Sequence, residues 1–384
     1  MKNKYGWEKS TLGEVSKFEN GDRGFNYPSK SDRTDVGIPF VNAGHLSSNG
    51  IDTENMDYIS REKFNQLGGG KFKIGDLLFC LRGSVGKYAM NKQFTEGTIA
   101  SSLVIIRPNS NLIGQFLMYY FESRICKEMI ADFGNGAAQP NLSAGNLKKF
   151  KILLPPVIEQ HQIVSELDTL SDIINKKKQQ LEKLDKLAQA TFYDMFGDPV
   201  TNEKGWDFKK MGDFVTFLNG RAYKQNELLD EGKYTVLRVG NFFSNRGYYY
   251  SDLELDDDKY CDNDDLLYAW SASFGPHIWK GNKVIYHYHI WKVVINEQRT
   301  DKGFIFSLLK YITEYLKEGT HGIAMMHLTK SGMEGTKVIL PPLSLQTKFA
   351  TKIESIENQK ALINQSVGDV QQLFDYTMDK YFNF

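Results

Sequence analysis

Residues 153–196 read LLPPVIEQHQIVSELDTLSDIINKKKQQLEKLDKLAQATFYDMF, and this stretch decides the fold. Beyond Pro155-Pro156, the positions Ile163, Leu167, Leu170, Ile174, Lys177, Leu181, Leu184, Ala188, Thr191 and Met195 recur in alternating steps of four and three. A 3.5-residue period held this long is the pattern of a coiled-coil helix. The same register returns 186 residues later, at Phe349, Ile353, Ile356, Lys360, Ile363, Val367, Val370, Phe374, Thr377 and Tyr381. Proline cannot continue a helix backwards, so Pro155-Pro156 and Pro341-Pro342 mark where the two helices begin. From first to last seam position each helix spans about 50 Å at 1.5 Å per residue. A domain of ~150 residues is only about 30 Å across. The helices are therefore expected to project beyond their domains rather than lie along them as ordinary amphipathic helices. Each seam carries one lysine, Lys177 or Lys360, a device that fixes register at some cost in stability.

Working outward, the whole chain repeats. Gly6-Trp7, Gly13 and Asn20-Gly21 return as Gly205-Trp206, Gly212 and Asn219-Gly220, an offset of 199. Asp76-Leu77-Leu78-Phe79 returns as Asp265-Leu266-Leu267-Tyr268 at 189, and Leu153-Leu154-Pro155-Pro156 as Ile339-Leu340-Pro341-Pro342 at 186, with Gln160 matching Gln346. A shrinking offset places deletions in loops between fixed anchors. The expected division is a globular domain over 1–155, a long helix over 156–196, a linker over 197–204, a second globular domain over 205–341 and a second long helix over 342–384. The linker follows from Gly197-Asp198-Pro199, which breaks the first helix. The globular parts mix β-prone runs (Ile38 to Val41, Leu77 to Leu81, Leu103 to Ile106, Val284 to Val294) with one shorter helix each, near Ile113 to Ile130 and Phe304 to Leu316. The fold class is mixed α/β (α+β), with two globular domains and two long helices of coiled-coil period.

Composition narrows the function. The 384 residues carry 47 Lys+Arg and 47 Asp+Glu, with 41% hydrophobic and 24% charged residues, an ordinary globular balance. The longest apolar run, Phe116 to Phe121, falls far short of the ~18 residues of a membrane span. The N-terminus lacks the apolar stretch of a signal peptide. Cys80, Cys126 and Cys261 are scattered and odd in number, which favours neither a disulfide framework nor a cysteine zinc site. A cytoplasmic location is expected.

Catalytic motifs are not found. Gly68-Gly69-Gly70-Lys71 and Gly86-Lys87 lack the Ser/Thr and the upstream glycine of a phosphate-binding loop. No G-x-G-x-x-G, G-x-S-x-G or H-E-x-x-H run occurs. Asp213 with Glu231-Gly232-Lys233 meets only the loosest spacing of a metal-dependent nuclease, a match that so many charges produce by chance. His287-Tyr288-His289 offers two imidazoles on one face of a strand, but no third ligand follows at metal spacing. The reading there is a strand with one polar and one aromatic face. No catalytic residue, metal site or cofactor is expected in this chain.

Charge is uneven beneath the neutral total. Residues 1–155 hold 20 basic and 15 acidic side chains. Residues 205–342 hold 17 and 18, but eight of those acids lie in the run Asp252 to Asp265, read as a solvated loop. Each globular part is thus able to carry a basic face, the footprint of phosphate contacts.

The ordered motifs resemble the specificity (S) subunits of type I restriction–modification enzymes. The resemblance rests on Gly37-Ile38-Pro39-Phe40-Val41 with Gly44-His45-Leu46, Gly75-Asp76-Leu77-Leu78-Phe79 followed by Arg82-Gly83-Ser84-Val85-Gly86-Lys87, Gln139-Pro140-Asn141-Leu142-Ser143, and Leu154-Pro155-Pro156 with Gln160. The second half keeps Val239-Gly240-Asn241, Asp265-Leu266-Leu267-Tyr268, Gly275 and Leu340-Pro341-Pro342 with Gln346, but has Trp270-Ser271-Ala272-Ser273-Phe274-Gly275 in place of the Arg-Gly-Ser-Val-Gly-Lys run. The resemblance implies a non-catalytic subunit whose two target-recognition domains each read one half of a split, asymmetric double-stranded DNA sequence. It implies that the two domains are separated by the two long helices forming an antiparallel coiled coil, that these helices dock two methyltransferase (M) subunits and set the spacer, and that restriction (R) subunits join through them. S-adenosylmethionine, ATP and Mg are then expected on the partner subunits, with no membrane involved. The DNA-contact candidates are Lys30, Arg33, Asn42, His45, Arg82, Ser84, Lys87, Gln139 and Asn141 in the first domain. In the second they are Arg221, Lys224, Arg238, Asn241, Ser271, Ser273 and His277. Ser84 is also a candidate turn residue. The competing readings are a two-headed protein-binding scaffold and a degenerate nuclease or stand-alone methyltransferase recognition piece.

Overall fold

The computed structural model describes residues 6–47, 50–133, 141–243, 247–271, 274–318 and 329–383. The chain divides into two compact units, and the cut falls inside the long helices rather than at their ends. One unit comprises Met1–Lys177 with Ser366–Phe384, the other Lys178–Gln365.

In the first unit an antiparallel sheet runs in the order Tyr88–Met90, Leu77–Cys80, Leu103–Pro108, Ser16–Asn20. A second sheet runs Arg33–Thr34, Asp57–Ile59, Ile38–Val41, Gly97–Ile99, Lys71–Phe72, with Ile38–Val41 and Gly97–Ile99 parallel. The second unit reproduces both. Its antiparallel sheet runs Gly275–Ile278, Leu266–Ala269, Ile290–Ile295, Val215–Asn219. Its mixed sheet runs Tyr249–Ser251, Tyr234–Leu237, Val284–Tyr286, Tyr260–Cys261, again with the middle pair parallel. A ribbon closes each unit, Glu8–Thr11 with Lys151–Leu154 and Phe208–Lys210 with Lys337–Ile339. Among the described residues, the first unit also has Arg33–Thr34 and the small Leu46–Ser47 and Gly50–Ile51 ribbon, without counterparts in the second.

The residues that repeat in sequence are those the frame cannot replace. A Cβ on Gly21 would lie 2.6 Å from the Ala100 carbonyl oxygen, and one on Gly220 2.5 Å from that of Tyr286. Both strand ends therefore pass too close to the neighbouring backbone for any side chain. Gln160 and Gln346 are fully buried at the helix starts. The Gln160 amide donates to the carbonyls of Pro155 (2.8 Å) and Asn111 (2.7 Å) and accepts from Ile113 N–H (2.8 Å). The Gln346 amide donates to Pro341 (2.7 Å) and accepts from Asp301 N–H (2.9 Å) and the Thr300 hydroxyl (2.9 Å). One buried amide thus ties each long helix to its proline pair and to the start of the shorter helix, where unpaired backbone groups would be costly. The repeated aspartates cap turns as well: Asp76 accepts from Lys73 N–H at 2.8 Å and Asp265 from Asp262 N–H at 2.7 Å.

The long helices are Val157–Phe196 and Leu343–Phe382, 40 residues each. In the first unit the start of one meets the end of the other. Ile163, Val164 and Leu167 share a core with Met378 and Phe382, and the Tyr381 hydroxyl donates to Glu166 at 2.7 Å. In the second unit the opposite ends meet. Phe192 packs on Phe349 at 5.6 Å between ring centroids, and Lys360 pairs with Asp185 at 2.8 Å. The pairing is antiparallel in both. Ile163, Leu167, Leu170, Ile174, Phe349, Ile353, Ile356 and Thr377 are buried, while Lys177, Leu181, Leu184, Lys360, Ile363, Val367, Val370 and Phe374 are half-buried. The seam is driest where a globular core covers it and wetter along the middle of each helix.

Two expectations need correction and a third is refined. The helix expected near Ile113 to Ile130 is two, Gly114–Glu122 and Arg124–Asp132, because Ser123 is extended and its hydroxyl accepts from Cys126 N–H to start a new helix. The strand expected over Val284 to Val294 is broken at residues 287–289, which form a turn. The run Asp252 to Asp265 is mostly an exposed loop, as expected, but four of its acids are paired rather than free. It contains Tyr260–Cys261, and its acids hold lysines: Glu254 with Lys233, Asp258 with Lys259, Asp264 with Lys280 and Lys302, and Asp265 with Lys292.

Candidate nucleic-acid interface

Matching backbone hydrogen bonds mark four corresponding loop segments in the two units. They follow the first long strand (from Gly21 or Gly220), the first parallel strand (from Asn42 or Arg238), the strand that opens the hairpin (from Leu81 or Trp270) and the second parallel strand (from Ala100 or His287). Gly21 N–H reaches the Leu103 carbonyl as Gly220 N–H reaches that of Ile290. Ala100 N–H reaches Val41 as His287 N–H reaches Leu237, at 2.8 and 2.9 Å. Leu81 N–H reaches Ser102 as Trp270 N–H reaches His289, at 2.8 and 3.0 Å. In each unit the four segments therefore gather at one edge of the sheets.

In the first unit this edge is polar and basic. Gly83 (φ 77°) and Gly86 (φ 88°) turn the hairpin, a conformation that glycine adopts without steric cost. Arg82, Ser84 and Lys87 are left exposed between the strands. Asn141, also exposed, is bridged to Arg82 through the backbone, and Leu142 N–H donates to the Leu81 carbonyl at 3.0 Å. Four sequence candidates thus meet. Arg23 joins them, its guanidinium donating to the Ser101 carbonyl at 3.2 Å, and Phe25 beside it is fully exposed. Neither was a sequence candidate; the signal was their place two and four residues after the repeated Asn20-Gly21 anchor. Asn42 and His45 serve the backbone instead. Asn42 accepts from Gly44 N–H at 2.7 Å, and His45, only 7% exposed, accepts from Asn42 N–H at 3.1 Å. Arg33 pairs with Asp57 at 2.8 Å and lies over the Phe40 ring, and Lys30 is exposed in a neighbouring short turn. Among the described residues no hydrogen bond or ion pair joins either to the hairpin. Gln139 lies outside the described residues.

In the second unit the edge is aromatic. Arg221 makes a bidentate pair with Glu227 at 2.8 Å, and this holds the Glu227 carboxyl down at about 2. Arg238 N–H donates to the Asn241 side chain at 2.7 Å, so Asn241 occupies the backbone role of His45. Lys224 is exposed, and Ser271 is half-buried beside Trp270. His277 stacks on Phe242 at 4.3 Å, and burial lowers its pKa. His287, Tyr288 and His289 form the turn. Burial, then His289 and Arg238, push His287 down to about 4; burial and Arg238 lower His289. The expected two-faced strand is absent because His287 bridges in parallel to Arg221 and Tyr288 N–H donates to the Arg221 carbonyl, which bends the chain. Ser273 lies outside the described residues.

Chemically, the first edge offers mobile cations and hydroxyl and amide groups. The second offers stacked rings with neutral imidazoles. Among the described residues no group of three His, Cys, Asp or Glu is placed to hold a metal ion, and no helix is long and apolar enough to cross a membrane.

Comparison with known proteins identifies this duplicated frame. The family profile for the type I restriction modification DNA specificity domain matches twice, over residues 4–183 and 203–370. The type I restriction enzyme MjaIX specificity subunit of Methanocaldococcus jannaschii is 25% identical over 323 residues, covering 76% of this chain and 74% of its own. The EcoKI specificity subunit of Escherichia coli is 21% identical over 387 residues, covering 90% and 82%. In fold, the chain is similar to the S subunit of the M. genitalium type I restriction–modification system, with TM-score 0.58, 18% identity and 100% and 98% coverage. A chain from a type I system studied for complex assembly and conformational transition aligns with TM-score 0.62, 16% identity and 98% and 97% coverage. With both halves matched and the central sheets built twice, this chain belongs to the family of type I restriction modification DNA specificity domain proteins.

Proposed function

We propose that this chain is the non-catalytic, sequence-reading subunit of a type I restriction–methylation complex in the cytoplasm. Each unit reads one half of an asymmetric bipartite site in double-stranded DNA. The observation that carries this reading is one frame built twice with unlike residues at the same loop edge. Arg82, Ser84, Lys87, Asn141 and Arg23 line the first edge; Arg238, Ser271, His277 and the 287–289 turn line the second. Lysine and arginine give affinity through phosphates, while the shorter polar groups and rings select base edges. Two methyltransferase (M) subunits dock on the outer faces of the long helices, and restriction (R) subunits join through them. S-adenosylmethionine, ATP and Mg act on those partners.

The helices also act as a ruler, since each runs unbroken from one unit into the other. Deleting one heptad from each removes about 10 Å of helix, or about three base pairs at ~3.4 Å per pair. The test is to sequence methylated sites in cells expressing the shortened chain with its methyltransferase. The spacer should shorten and both half-sites stay the same; changed half-sites would contradict the ruler.

A further inference from the structure

The turn His287-Tyr288-His289 is left over from the search for catalysis and metal binding. It stands where the first unit has Ala100-Ser101-Ser102. The frame requires no bulk there, since three small residues make the three backbone hydrogen bonds that the two turns share. Yet the second unit gathers five rings there, those of His287, Tyr288, His289, Trp270 and Tyr223. Tyr288 and His289 lie 3.9 Å apart between ring centroids, His287 and Tyr288 4.5 Å, and Trp270 and His289 5.1 Å. The Trp270 indole N–H donates to the Tyr288 carbonyl at 2.8 Å and locks the turn to the hairpin. Tyr223 stacks beneath His287 at 6.3 Å. Tyr288 is 38% exposed. Among the described residues, neither its hydroxyl nor the ring nitrogens of His289 have a hydrogen-bond partner.

From this arrangement we infer that the His287-Tyr288-His289 turn, buttressed by Trp270, is the element through which the second unit selects the bases of its half-site. The inference rests on the DNA-reading function proposed above and names its residues. Stacked rings with two rotatable bonds lose little entropy on binding. Burial keeps the imidazoles neutral near pH 7. A neutral imidazole and a phenol each donate and accept, so they answer base edges that a guanidinium, a donor alone, cannot. The first unit has only short side chains in this turn and selects with its longer hairpin, Arg82 to Lys87.

The test uses the full chain co-expressed with its methyltransferase, with methylated sites read by sequencing. Tyr288→Phe removes one exposed oxygen and leaves the stack intact. His289→Ala removes a ring at the edge. Discrimination at one or two positions of one half-site should fall about five- to hundredfold, while the other half-site stays unchanged. Ser84→Ala, in the hairpin of the first unit, should do the converse. If both turn variants methylate the wild-type motif with undiminished selectivity, the inference is overturned and the proposed function stands. If the wild-type complex methylates no defined motif, the proposed function itself fails.

Discussion

The turns Ala100-Ser101-Ser102 and His287-Tyr288-His289 share three backbone hydrogen bonds and no side-chain chemistry. Their difference separates two kinds of residue. Frame residues are repeated because geometry leaves no alternative; edge residues diverge because the fold does not depend on them. A chain that must hold two readers in one architecture, yet read two different sequences, needs this separation.

The sharpest way to break the comparison is through the frame. Gln160→Leu and Gln346→Leu each leave a buried N–H without its acceptor and two or three further polar groups unpaired. Each should cost about 3 kcal/mol, read from urea unfolding of the two variants. The account requires the two costs to agree within about 1 kcal/mol; a large cost in one unit alone would break the equivalence. Next comes Gly21→Ala against Gly220→Ala. Both push a methyl into a facing carbonyl and should each lose about 2 kcal/mol.

Edge substitutions should behave in the opposite way. Arg82→Ala should leave stability within about 0.5 kcal/mol. It should weaken duplex binding about tenfold and lower the slope of log affinity against log salt by about one, measured by fluorescence titration of the complex. A stability loss comparable to the glutamine variants would move Arg82 into the frame.

The smallest effect is a pH difference between the units. His287 is held at about 4 against an ordinary 6.5, by burial and by the neighbouring His289 and Arg238. Between those values the unfolded chain binds a proton that the folded chain refuses, so stability falls as pH drops through 6.5 toward 4. His287→Asn should abolish that part of the decline. After allowance for solvent screening it amounts to less than about 1 kcal/mol. Thermal unfolding at pH 7.0 and 5.0 of wild type and variant measures it. An identical decline in both would show that the ring is no more buried than in the unfolded chain.

The frame was legible because it obeys periodicity and repetition. The 3.5-residue seam is visible wherever Leu and Ile recur, and Gly21, Asp76 and Gln160 repeat because sterics and buried hydrogen bonds fix them. The edge was legible only in part. Arg82, Ser84, Lys87 and Asn141, taken from two separate motifs, meet at one edge, but nothing in the sequence separates His45, turned inward to bind the Asn42 N–H, from a histidine turned outward. His287 to His289 alternate like a strand, and only contacts with Arg221 and Trp270, distant in sequence, make them a turn. Likewise the acids of 252–265 count as free charge until their lysine partners are placed beside them.

The central claim is that one frame, used twice, reads two unlike half-sites. Its most direct test is genome-wide sequencing of methylated bases in cells expressing this chain with its methyltransferase. The account predicts one motif made of two different short sequences separated by a fixed gap of unread bases. A continuous motif, or two identical inverted halves, would contradict it.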